Sequence, residues 1–166
     1  MNIFFDLDGT IFENKYKYYY IYKQLLSNCG CFYLPMKTYW KLKRNKTSEM
    51  NIFCQTSGKD ISEILCETRL KMIENLEFIK LDRLQPQVHT TLRKLSSIAH
   101  LYLVTMRKNR KTLMKQLDYF SLRKYFKKIL SQDDNNGKAN VKIELIKSES
   151  DYTSNTDFLS VILNLI

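Results

Sequence analysis

A chain of 166 residues that is 44% hydrophobic and 13% aromatic can bury one sizeable core, which excludes an intrinsically disordered protein. Its net charge of +10 suits an anionic partner, whether a phosphorylated metabolite, a nucleic acid or an acidic surface, without choosing among them. No apolar run approaches the roughly 20 residues of a spanning helix, and no basic region precedes the first apolar segment, so the expectation is a cytoplasmic protein with neither membrane anchor nor signal peptide.

The first predicted element is a strand at the N-terminus, where Ile3, Phe4, Phe5 and Leu7 surround Asp6 in "NIFFDLDGTIF". Such a run reads as a buried parallel strand, and Gly9-Thr10 supplies the turn that follows it. From Glu13 to about Arg83 the pattern is mostly helical, with no convincing second strand. There "KYKYYYIYKQLLSN" ends near Gly30, "LPMKTYWKLKRNK" follows Pro35, and "DISEILCETRLKMIENLEFIK" opens at an N-cap candidate, Asp60. Beyond Pro86 come an amphipathic helix, "QVHTTLRKLSS", an apolar strand, "HLYLVTM", a further helix, "KNRKTLMKQLDYF", and a short strand, "FKKILS". Strands alternating with helices predict an α/β fold built on a parallel sheet. The first strand then has to pair with strands far along the chain, so residues 1–13 and 84–166 are expected to form the core and 14–83 an inserted helical cap. In sheets of this kind ligands sit beyond the carboxyl ends of the strands.

Several candidate sites have bland readings. Cys29, Cys31, Cys54 and Cys66 show no C-x-x-C spacing and no histidines close by, so they are read as reduced thiols. His89 and His100 have no partner at metal-ligand spacing, and Asp133 and Asp134 in "QDDNNGKAN" read as polar turn residues. The basic run from Lys41 to Lys46 is either a solvated helix face or a loop that reaches an anionic substrate. Tyrosines interleaved with lysines in "KYKYYYIYK" suggest stacking on nucleic acid, but helical core spacing accounts for most of them, and nucleic acid is not the expected partner.

Three segments carry a resemblance. D-L-D-G-T after the first strand, "LYLVTMR" after an amphipathic helix, and a lysine in "NNGKANVKIELIK" resemble, in order and spacing, the first three motifs of the haloacid dehalogenase-like (HAD) hydrolases of phosphatase type. The resemblance runs to about Lys147 and takes in "LQPQVHTTLRKLSS" as the approach to the second motif. It implies a Rossmann-like parallel sheet with an inserted helical cap, and Mg²⁺-dependent hydrolysis of a small phosphorylated substrate. By the same resemblance Asp6 is the nucleophile that forms an aspartyl phosphate, Asp8 the acid and base, Thr105 a phosphate-binding hydroxyl, and Asp6 with the Asp8 carbonyl the metal ligands.

Elementary chemistry agrees with these roles. A strand-end carboxylate can attack phosphorus and divide one hard displacement into two steps. Side chains two apart on an extended strand share a side, so Asp8 can protonate the leaving oxygen and later take a proton from water. Gly9 lets backbone N–H groups approach the phosphoryl oxygens, and Thr10 can hydrogen-bond the turn. Arg107 either adds charge near the phosphate or begins a solvated basic helix. For the motif lysine Lys138 and Lys142 compete, Lys142 being slightly favoured because it opens the amphipathic "KIELIK".

The family's fourth motif, an acidic pair in a G-D-x-x-x-D context after a further strand, has no counterpart in the closing "SNTDFLSVILNLI". Asp151 and Asp157 precede that apolar run and are poor substitutes, so magnesium binding and turnover are expected to be impaired. One set of synonymous codons for Leu159 to Ile166, read one nucleotide earlier, encodes I-G-D-T-E-F-D, so the expectation is a frameshifted, truncated product of a complete HAD hydrolase gene. A non-catalytic remnant, or a basic binding module for anionic partners such as nucleic acid, is the alternative.

Overall fold

The structure, a computed structural model, describes residues 1–132, with the backbone alone at residues 59–61. It forms two compact units: Met1–Glu13 together with the described residues from Arg83 onward, and Asn14–Asp82.

The first unit is a parallel sheet with helices. Strands β1 (Asn2–Asp6), β4 (His100–Thr105) and β5 (Phe126–Ser131) lie in the order β1-β4-β5, joined by parallel ladders. The near-continuous apolar runs of β1 and β4 are what a sheet buried on both faces requires, whereas β5 exposes Lys127 and Lys128 before its buried Ile129, Leu130 and Ser131. Because side chains alternate across a strand, Ile3, Phe5, Leu101 and Leu103 join one buried cluster, to which helix α6 (Val88–Ser96) adds Val88 and Leu92 and helix α7 (Arg110–Tyr119) adds Leu113 and Leu117. Phe4, Tyr102, Val104 and Leu130 form a second buried set, with the Phe4 and Tyr102 rings stacked at 4.9 Å. Helix α7 starts where Asn109 Oδ1 accepts from the Thr112 N–H at 3.0 Å.

One feature of this unit departs from the sequence expectation. Phe12–Glu13 (β2) and Arg83–Leu84 (β3) pair antiparallel, a ribbon standing where the chain departs for the second unit and returns. Two residues per strand are too few for any alternation to register. In the turn after β1 the Gly9 N–H donates to the Phe12 carbonyl at 2.9 Å, while the Leu7 carbonyl accepts from Ile11 and Phe12. Gly9 lies at φ +89, so it supplies the left-handed turn, and its own N–H is engaged within the loop.

The second unit is helical: α1 (Lys15–Asn28), α2 (Met36–Arg44), α3 (Glu49–Ser57), α4 (Lys59–Ile73) and α5 (Leu76–Ile79). Buried Lys17, Ile21, Tyr22, Leu25 and Leu26 follow helical spacing along α1. Tyr22 and Tyr39 are fully buried and stack at 4.5 Å, so these rings belong to the core of this unit. Asp60 is not an N-cap: α4 begins one residue before it, with Gly58 at the cap, and the long helical pattern breaks at Glu74 into α4 and α5. Helix α3, capped by Ser48 Oγ accepting from the Asn51 N–H at 3.2 Å, was not separable in sequence from its neighbours. The ends of the unit are tied by a buried network, in which Lys17 Nζ donates to Asp82 Oδ2 at 2.7 Å and Asn14 Nδ2 to Asp82 Oδ1 at 3.0 Å. Within the basic run, Lys43 pairs with Glu49 at 2.5 Å, so this lysine is not merely solvated. Among the described residues no helix is long and apolar enough to cross a membrane.

Candidate active site

Asp6 closes β1 and Thr105 closes β4, and the parallel register sets Asp6 opposite Val104, one residue before Thr105. Neighbouring strands run about 4.8 Å apart, so both residues reach the same carboxyl edge of the sheet. Thr105 is 1% exposed, whereas Asp6 is half-buried, with its Oδ1 accepting from the Leu7 N–H at 2.8 Å. On the far side of Thr105, Ser131 at the end of β5 pairs in register with it and is fully buried.

Asp8 stands in the turn after β1, two residues beyond Asp6, and forms an isolated bridge with Phe12. Its carboxylate meets Arg107, which lies past the end of β4 and before α7. Arg107 Nε donates to Asp8 Oδ2 at 2.8 Å and Nη2 to Oδ1 at 2.6 Å. One planar guanidinium thus grips both oxygens of one carboxylate, the strong bidentate form of a charge-assisted hydrogen bond. The Arg107 backbone is itself held, its N–H donating to Thr105 Oγ1 at 3.3 Å and its carbonyl accepting from the Gln132 N–H at 3.2 Å.

Of the sequence candidates, Asp6, Asp8, Thr105 and Arg107 come together at this edge. Lys138, Lys142, Asp133, Asp134, Asp151 and Asp157 lie outside the described residues. Arg107 does not open a basic helix, since α7 begins at Arg110. The four cysteines are free thiols, His89 Nδ1 is 3.3 Å from the Tyr125 hydroxyl, and His100 is exposed. Sequence reading passed over Ser131 and Arg110, whose Nη1 donates to the Ile129 carbonyl at 3.1 Å and to Ser131 Oγ at 3.4 Å. The available signal was a small hydroxyl residue ending "KKIL", the same apolar-run-then-hydroxyl pattern that singles out Thr105. A cavity of about 720 Å³ between α7 and β5 carries Arg110, Arg123, Lys124 and Lys127, but none of Asp6, Asp8 or Thr105 lines it.

The sequence profile of the haloacid dehalogenase-like hydrolases matches residues 3–150. The chain belongs to this family. Among solved structures, a haloacid dehalogenase-like hydrolase from Streptococcus pneumoniae superposes with a TM-score of 0.68 at 21% identity, covering 91% of this chain and 69% of the other. A protein described as a phosphatase from Clostridium difficile gives 0.70 at 20% identity, over 94% of this chain and 71% of its own. A protein described as a HAD-hydrolase from Bacillus subtilis, bound to magnesium, gives 0.60 at 17% identity, over 94% and 73%. At such identities the likeness carries the fold, a HAD-type α/β sheet. No curated protein matches by sequence.

Whether a HAD-type cation suits this edge depends on its donors. Asp6 offers a half-buried carboxylate and Asp8 a main-chain carbonyl, both hard oxygens of the kind magnesium takes, usually beside several waters and a substrate phosphate. Among the described residues no three histidines, cysteines or carboxylates gather into a metal-holding group. The donors fit in kind, and further carboxylate ligands would have to come from elsewhere in the chain.

Proposed function

We propose that this HAD-like hydrolase cleaves small phosphate monoesters in the cytoplasm through an aspartyl phosphate on Asp6, with Mg²⁺. The observation that supports the reading is the strand register, which pairs Asp6 with Val104, so that Asp6 and Thr105 end neighbouring strands at one carboxyl edge, with Asp8 in the turn after β1.

In the first step an Asp6 oxygen attacks phosphorus, the bond from phosphorus to the ester oxygen breaks, and that oxygen leaves with the proton of the Asp8 carboxyl group. In the second, water attacks the phosphorus of the acyl phosphate and gives a proton back to Asp8. The bond from phosphorus to the Asp6 oxygen breaks, releasing inorganic phosphate and restoring both aspartates. Thr105 holds a phosphoryl oxygen, and Lys138 or Lys142 offsets the repulsion between the carboxylate nucleophile and a dianionic phosphate. The Asp6 carboxylate and the Asp8 main-chain carbonyl would hold Mg²⁺, which would supply charge neutralisation for phosphoryl transfer.

No glycine is followed by aspartate in these 166 residues, so the G-D-x-x-x-D pattern does not occur within them, and these residues by themselves are proposed to bind magnesium weakly and turn over slowly. Phosphate release from a panel of monoesters, with and without magnesium, tests the function. Magnesium-dependent release that disappears in Asp6→Asn is expected. Release that is equal in wild type and Asp6→Asn would exclude the covalent route.

A further inference from the structure

We propose that Arg107 is a positioning residue that fixes the plane of the Asp8 carboxyl group and so determines where its proton is delivered; this rests on the phosphatase reading above. The pair has two unequal halves, with the Arg107 side chain only 9% exposed and that of Asp8 30% exposed. A buried clamp therefore holds a group that keeps an open side, as a proton donor to a bound ester requires.

Its geometry restrains more than charge alone would. Nε and Nη2 reach separate oxygens at 2.8 and 2.6 Å, which leaves the carboxyl group no free rotation about its last bond. Each carboxylate oxygen has two lone-pair sites, and the fork uses one on each, so the clamp is compatible with a proton travelling on the outward side. The clamp is also well anchored. Thr105 Oγ1 and the Gln132 N–H hold the Arg107 backbone at the edge of the sheet, so the position of Asp8 is referred to the strand that carries Thr105. Without it Asp8 would depend on its turn alone, and small misplacements of a reacting group cost rate steeply. A lysine at this position would supply charge but not the planar fork.

Two substrates separate this role from phosphate binding. p-Nitrophenyl phosphate loses a stable nitrophenolate that needs little protonation, whereas glycerol phosphate must expel an alkoxide. The quantity to compare is kcat/KM, because it reports the first, leaving-group-dependent step. Arg107→Gln is expected to lower kcat/KM for glycerol phosphate by about 100-fold, and by at least about tenfold more than for p-nitrophenyl phosphate. Asp8→Asn should show the same split, and adding Arg107→Gln to it should cause little further loss. Arg107→Lys, which keeps charge and bulk, should behave like Arg107→Gln. It also provides the measurement should the glutamine variant fail to fold.

Equal losses on both substrates, or a rise in KM alone, would make Arg107 a phosphate ligand and overturn the positioning role while leaving the phosphatase reading intact. Failure of the wild-type protein to release phosphate from either substrate with magnesium would overturn both. A direct check without turnover is the Arg107 Nε–H resonance, which should be protected from exchange in the wild type and lose that protection in Asp8→Asn; no protection in the wild type would contradict the clamp.

Discussion

Replacing Lys17 by methionine is expected to destabilise the helical unit by about 3 kcal/mol. Both partners of the Lys17–Asp82 pair have fully buried side chains, 2.7 Å apart, so Asp82 cannot turn to water when its cation is removed. Breaking a buried pair from one side costs roughly 3–5 kcal/mol, since the surviving charge stays uncompensated. The Asn14 Nδ2–Asp82 hydrogen bond at 3.0 Å survives the change, which argues for the lower end of that range. Trp40, the single tryptophan, packs against the core of this unit, so its fluorescence reports unfolding there. With a urea slope of about 1–3 kcal/mol/M, the midpoint should fall by about 1–3 M. Lys17→Met/Asp82→Leu should recover most of that loss, because the pair is then replaced by apolar groups of similar bulk. A single-variant shift below about 1 kcal/mol, or a double variant worse than the sum of the singles, would refute the reasoning.

Gly9→Ala should cost about 1–2 kcal/mol through backbone strain alone, since Gly9 sits at φ +89 and an added Cβ would meet nothing within 4 Å; an unchanged urea midpoint would contradict this. Alkaline pH should weaken the helical unit. Burial, with the Glu49 carboxylate adding to it, pushes the Tyr39 hydroxyl far above its ordinary value of 10.0, and burial also raises the Cys66 thiol above 9.0. The unfolded chain therefore loses these protons first, so the stability is fully present below about pH 9 and declines as pH rises beyond it. Urea midpoints that stay level between pH 8 and pH 11 would contradict the burial of these groups.

The sheet was legible where apolar runs were long enough to leave one reading. β1 and β4 each end in a polar residue after such a run, β5 offers only Ile129 and Leu130 before Ser131, and the parallel pairing of the three follows from the helices between them. Short elements were not legible: β2 and β3 have two residues each, and Ser48 is as plausible a turn residue as a cap. Buried charge was hidden as well. Lys17 lies in "KYKYY" among residues that suit a solvated face, and the ion pair that accompanies its burial is with Asp82, 65 positions later. At the site, the strand-end positions of Asp6 and Thr105 could be read from the run preceding each. Arg107 could not be resolved, because "RKNRK" looks like the start of a basic helix and its partner is 99 residues away.

The central claim is covalent, and trapping the intermediate tests it most directly. Wild-type protein mixed with p-nitrophenyl phosphate and magnesium, quenched in acid and digested, should carry one phosphoryl group on Asp6 within "NIFFDLDGTIF", in a linkage that hydroxylamine releases. Asp6→Asn should carry none. Phosphate release without that label, or a label on any other residue, would contradict the account.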